Sequence, residues 1–108
     1  MSAPSYIQVQ ITFPSEASAN AVAEKLVAKR LAACAQILGP LKSIYTWKGK
    51  TEHSSELLLL AKTRAELFDL LVEAVREEHP YECPQIVALP LFAGSGDYLA
   101  WIDEQTDR

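Results

Sequence analysis

The sequence predicts an α+β sandwich, a four-stranded antiparallel sheet with two helices on one face. Three observations predict it. Near the start of the chain, apolar residues alternate with polar ones, the period of a strand with one buried face. Two later stretches repeat their apolar residues at helical spacing. The segments then follow in the order strand, helix, strand, strand, helix, strand, with a short helix at the end. The 108 residues suit one domain, 1–108, able to bury a core without metal or disulfide staples. No linker, repeat or low-complexity stretch interrupts it.

Ile7, Val9, Ile11 and Phe13 alternate with Gln8, Gln10 and Thr12, which makes the first strand. Pro14 ends it and Ser15 is placed to cap the next helix. Ala19, Val22, Ala23, Leu26 and Val27 recur at helical spacing, and this first helix is expected to end near Arg30 to Leu31. A second strand is expected over Ala33 to Leu38, broken at Gly39-Pro40 and resuming from Ser43 to Trp47. Lys48-Gly49-Lys50 is a hairpin turn, since glycine takes positive φ without steric cost. The return strand runs from about Glu52 to Lys62. Its polar first part, His53 to Ser55, implies a projecting tip, and its apolar second part, Leu57 to Ala61, implies a base in the core.

Thr63-Arg64-Ala65-Glu66 matches a capping box ahead of a second helix, whose buried stripe is Leu67, Leu70, Leu71, Ala74 and Val75. Pro80 stops that helix, and His79 to Pro84 reads as a loop. Ile86 to Leu91 is the last main strand, with Pro90 expected at an edge or a bulge. Gly94-Ser95-Gly96 leads into a short helix carrying Tyr98, Trp101 and Ile102 on one side. Two β-α-β halves joined by an extended hairpin of the second and third strands make a ferredoxin-like βαββαβ sandwich. Right-handed crossovers put both long helices on one sheet face. The other face is too apolar to be left to water, which predicts self-association.

Composition excludes some functions. A net charge of -4 and a pI of about 5.1 argue against general nucleic-acid binding. No apolar run reaches membrane-spanning length, so no membrane insertion is expected. Met1 to Ser5 lacks the features of a signal peptide, and a cytoplasmic location is the expectation. There, Cys34 and Cys83 are expected as free thiols.

Several motifs resemble one family. Leu31-Ala32-Ala33-Cys34-Ala35-Gln36-Ile37 is similar to the second-strand signature of CutA, the divalent cation tolerance proteins. Tyr45-Thr46-Trp47-Lys48-Gly49-Lys50 resembles its hairpin, and Glu56 with Lys62-Thr63 fits its returning strand. His79-Pro80-Tyr81-Glu82-Cys83-Pro84 resembles its His-Pro-Tyr-Glu-x-Pro loop, and Tyr98-Leu99-Ala100-Trp101 its C-terminal motif. The similarity covers essentially the whole chain. It implies a homotrimer with PII-like architecture, in which hairpins of neighbouring subunits pair. It also implies a link to copper and other divalent-metal tolerance. Some members carry a cysteine in the first strand and a His-His pair before the loop proline, where this chain has Ile11 and Glu78-His79.

Two site hypotheses arise from these residues. His79, Glu82 and Cys83 share one short loop and offer imidazole, carboxylate and thiol, a donor set for copper or another divalent cation. Their spacing matches no standard metal motif, and two prolines restrict their convergence; the same residues also suit a rigid structural loop. Alternatively, Trp47, Lys62, Tyr81, Glu82 and Trp101 line a small-ligand cleft between subunits of a signalling or anchoring trimer, or pack at the interface itself. No nucleophile elbow, phosphate-cradling glycine loop or zinc-hydrolase spacing is present, so no enzyme activity is expected.

Overall fold

A computed structural model of the chain describes residues 4–108. The alternating segment forms β1 (Tyr6–Phe13), with Ile7, Val9, Ile11 and Phe13 buried on one face. Ser15 caps α1 (Glu16–Ala28), its hydroxyl accepting from the Ser18 amide at 3.1 Å. The helix ends slightly before the expected place. Arg30 takes φ 60°, and the amides of Leu31 and Ala32 both turn back to the Leu26 carbonyl. This left-handed closure satisfies the last turn and stops the helix.

The second strand is not broken as the sequence suggested. β2 (Cys34–Trp47) runs through Gly39-Pro40 and pairs along its length with β3 (Lys50–Arg64). The irregularity is absorbed as a bulge: Leu38 faces Leu58 and Leu41 faces Glu56, so two residues of β2 oppose Leu57 alone. Gly39 sits at φ 137°, with a cis peptide to Pro40. The strands join through a two-residue turn at Lys48 and Gly49, both at positive φ, the geometry that matches the twist of a hairpin.

The expected capping box does not form. β3 continues to Arg64, Thr63 is fully buried with its hydroxyl unpartnered, and Glu66 pairs with Arg64 at 2.5 Å. Pairing with β1 holds Thr63 in the sheet, against its local preference for a cap. A short 3₁₀ turn, Ala65–Leu67, leads instead into α2 (Phe68–Glu78). Leu67, Leu71, Ala74 and Val75 are buried as expected. Leu70 is 45% exposed, and Phe68 packs against the core as well.

β4 (Ile86–Pro90) pairs with β1, giving the strand order β2-β3-β1-β4. Pro90 lies on an edge strand, where its missing amide costs no inner ladder bond. All pairings are antiparallel, and the architecture is ferredoxin-like. The core lies between the sheet and the paired helices, where Val9, Ile11, Leu59 and Ala61 meet Val22, Leu26, Leu71 and Val75.

The opposite sheet face is covered only at one end. There, α3 (Gly96–Gln105) buries Ile102, and hydrogen bonds tie it and its cap to the sheet. Tyr6 donates to Asp103 at 2.7 Å, and Arg64 Nε donates to the Thr106 hydroxyl at 2.9 Å. Beyond α3, Leu38, Val87 and Leu89 remain about half exposed on that face.

Candidate functional site

The principal cleft lies at the other end of the open face, between the hairpin arm and the loop after α2. It encloses about 640 Å³, within the usual range of small-ligand pockets. The bulge sets its composition. Before Gly39, even-numbered residues of β2 face the open side; one extra residue reverses the phase, so Tyr45 and Trp47 face that side after it. They share the face with Thr12 of β1 and Glu56 of β3, and all four line the cleft. The loop contributes Tyr81, Glu82 and Cys83.

His79 is turned away from this space. It closes α2, stacks on Phe13 with ring centroids 4.5 Å apart, and is buried. Its Nδ1 accepts from the Tyr81 amide at 3.1 Å, so Nε2 carries the hydrogen and donates to the Thr12 carbonyl at 2.7 Å. Burial holds its pKa below the ordinary histidine value, against the opposing pull of the Thr12 carbonyl and Glu56. Both nitrogens are therefore engaged inside the chain. Pro80 then directs Tyr81 across the cleft, where its hydroxyl donates to Glu56 Oε2 at 2.8 Å. Burial, and next the bond to Glu56, push the Tyr81 phenol far above its usual value, so it stays a donor at any ordinary pH.

Of the suggested metal donors, the structure brings Glu82 and Cys83 to the cleft and sets His79 behind it as a brace for the loop. Among the described residues, no group of three or more His, Cys, Asp or Glu side chains is placed to hold a metal ion. The donors of one chain thus do not fit a closed metal centre. Of the suggested cleft residues, Trp47, Tyr81 and Glu82 come together. Lys62 lies six residues along β3 from Glu56, about 20 Å away, and donates to Gln36 Oε1 at 2.7 Å. Trp101 rides on α3 against Tyr98, with ring centroids 5.5 Å apart. The Tyr98 hydroxyl lies 3.4 Å from Cys34 Sγ, a contact that, with burial, pushes this phenol up to about 12. Cys34 and Cys83 are both free thiols.

Glu56 lines the cleft, although the sequence placed it only as a residue of the returning strand and gave it no site role. Its carboxylate is buried, 6% exposed, at the wall of the cleft. The available signal was its position, a lone acid where the polar hairpin arm meets the apolar run Leu57–Ala61.

Comparison with known proteins agrees with this architecture. Residues 7–105 match the family described as CutA1 divalent ion tolerance protein. This chain belongs to the CutA1 family. It is 49% identical over 98 residues to the divalent-cation tolerance protein CutA of Thermus thermophilus, covering 91% of this chain and 95% of that one. It is 43% identical over 97 residues to protein CutA of the mouse, covering 90% of this chain but 55% of that longer protein. The solved CutA1 structure from Thermus thermophilus superposes with a TM-score of 0.91 at 48% identity, covering 94% of this chain and 98% of that one. The CutA1 fold thus accounts for the βαββαβ order and the long hairpin. No helix among the described residues is long and apolar enough to cross a membrane.

Proposed function

We propose that this CutA1-family chain is a cytoplasmic, non-enzymatic homotrimer that serves divalent-cation tolerance. In this reading, copper or another divalent ion is held weakly and exchangeably at the loop after α2, not in a closed centre. One observation carries the metal part. The loop presents the exposed Cys83 thiol and the Glu82 carboxylate beside the cleft, while both His79 nitrogens are engaged elsewhere. Thiolate suits copper, and two donors from one subunit make a weak site. The open sheet face supports the trimer: Leu38 on one edge strand and Val87 and Leu89 on the other are half-exposed apolar side chains of the kind that self-association covers.

Native mass spectrometry of untagged protein, with and without added copper, tests this reading. The expected result is a three-chain mass that takes up copper reversibly and takes up less in Cys83→Ser. A stable monomer, or copper uptake unchanged in Cys83→Ser, overturns the corresponding part.

A second reading is favoured by the cleft itself. Its volume and its aromatic walls, Trp47, Tyr45 and Tyr81, suit a small organic ligand, as in a trimeric signalling or anchoring protein with no resident metal.

A further inference from the structure

We infer that α3 is a latched strap, led in by the Gly94–Gly96 hinge and locked at its far end by Arg30, from the end of α1, and Arg64, from the end of β3. Every bond of the latch joins residues of one chain, so it stands whatever else covers the open sheet face. It involves neither the cleft nor a metal.

The ends of the two helices supply the reason. The last carbonyls of a helix have no partner within it, and they carry the negative end of its dipole. Here α1 and α3 end close together, and an arginine beside each covers carbonyls of the other. Arg30 donates from Nε to the Asp107 carbonyl and from Nη2 to the Glu104 carbonyl, both at 2.6 Å. Arg108 Nη1 returns a bond to the Lys29 carbonyl. Arg64 adds a second fork, from Nη2 to the Thr106 carbonyl at 2.7 Å and from Nε to the Thr106 hydroxyl. Charged donors make stronger bonds than neutral ones, and a planar guanidinium bridges two acceptors more readily than an ammonium does.

The backbone at Arg30 points the same way. It sits at φ 60°, in the left-handed position that closes α1 and that glycine fills without steric cost. Any residue with a Cβ is strained there. What arginine has over glycine at this place is the side chain that grips α3.

Little else holds the helix. Its ten residues are too few to stay helical undocked in water. Within it only Ile102 is buried, and the residues bonded to the rest of the fold through Tyr6, Arg30 and Arg64 all follow Ile102. Ahead of it, Tyr98 is 38% exposed and Trp101 36%, and the Tyr98 hydroxyl makes a 3.4 Å contact with Cys34 Sγ. A helix gripped at one end and entered through two glycines opens by releasing the gripped end. Release would carry Tyr98 away from Cys34 and uncover the end of the sheet face that α3 closes.

Hydrogen exchange read by mass spectrometry on the native protein tests the latch, with peptides of α3 compared against those of β1. Arg30→Gly removes the grip and relaxes the backbone at once, two changes of opposite sign for stability. The expected result is exchange about tenfold or more faster in α3, with β1 unchanged and no rise in melting temperature. Arg30→Lys keeps the charge and the positive φ but lacks the fork, and its α3 exchange is expected to lie between the two. Unchanged α3 exchange in Arg30→Gly overturns the latch, and a raised melting temperature alongside it would show relieved strain with no grip lost. Exchange that accelerates equally in α3 and β1 overturns the strap in favour of a general loss of stability. Lysine protecting α3 as fully as arginine overturns the two-carbonyl grip.

Discussion

At the scale of single residues, the cleft is held by a short relay: Thr12 carbonyl, His79 imidazole, Tyr81 backbone, then Tyr81 hydroxyl and Glu56 carboxylate. Each link has a testable consequence. Tyr81→Phe keeps the ring and removes the only hydroxyl that bonds Glu56 among the described residues. Leaving a buried carboxylate short of a donor costs about 1–3 kcal/mol, which thermal or urea denaturation would read as lost stability. An unchanged midpoint would show that water replaces the phenol. His79 gives a pH dependence. Its pKa in the folded chain lies below that of the unfolded chain, so unfolding takes up protons as the pH falls. Its contribution is then full above the unfolded value, near pH 6.5, and is lost as the pH drops from there toward the folded pKa. The expected urea midpoint therefore declines from pH 7 to pH 5. The decline should be smaller in His79→Gln, which keeps a donor for the Thr12 carbonyl but does not titrate. Equal declines in both proteins would assign the pH dependence to other groups.

At the scale of elements, the hairpin decides what the cleft contains. Its bulge reverses the phase of β2, and its turn closes in two residues. The glycines at these two places carry different loads. Gly49 has positive φ and open space around it, so Gly49→Ala is expected to cost about 1–2 kcal/mol through backbone strain alone. At Gly39 a Cβ would meet Leu57 Cδ2 at 3.0 Å and the Glu56 carbonyl at 3.1 Å, on top of φ 137°. Gly39→Ala is therefore expected to lower the melting temperature more than Gly49→Ala, and to disturb the Trp47 fluorescence as the bulge rearranges. If Gly49→Ala proves the costlier change, the bulge is more plastic than this packing indicates. The helices follow simpler rules. The Ser15 cap was legible because a serine directly after Pro14 has one obvious local use. The capping box at Thr63 had the right letters and failed, because pairing with β1 outweighs one local hydrogen bond.

At the scale of the whole molecule, the two faces of the sheet have different fates. One is closed by α1 and α2, and the other only at one end by α3. For the proposed trimer, a charge placed on the uncovered face should dissociate the subunits without unfolding them. Val87→Lys is expected to run as a monomer in light scattering with its far-ultraviolet circular dichroism preserved. A Val87→Lys protein that remains trimeric would place the interface elsewhere.

Much of the fold was legible because strand and helix periods are local properties. Ile7 to Phe13 announced β1, Ala19 to Leu26 announced α1, and the segment order implied the sandwich. The site was less legible. Proximity in sequence grouped His79 with Glu82 and Cys83, but the imidazole turned inward, because a ring stacked on Phe13 with both nitrogens satisfied is the better-buried arrangement. The position of Glu56 ahead of an apolar run did not by itself mark it as buried, since its burial comes from β1, the hairpin and a loop more than twenty residues away.

The strands, the helices, their order, the tight turn at Gly49 and the family were all readable from the amino acids alone. The elements and the turn rest on side-chain periodicity and turn chemistry, which act over a few residues, and the family rests on several short motifs in a fixed order. That Gly39-Pro40 is a bulge, that His79 braces the loop, and that Glu56 lines an aromatic cleft emerged only from the folded chain. Those outcomes depend on strand register and on packing between segments far apart in the chain, where the cost of burying a polar group is set by partners that no local pattern specifies.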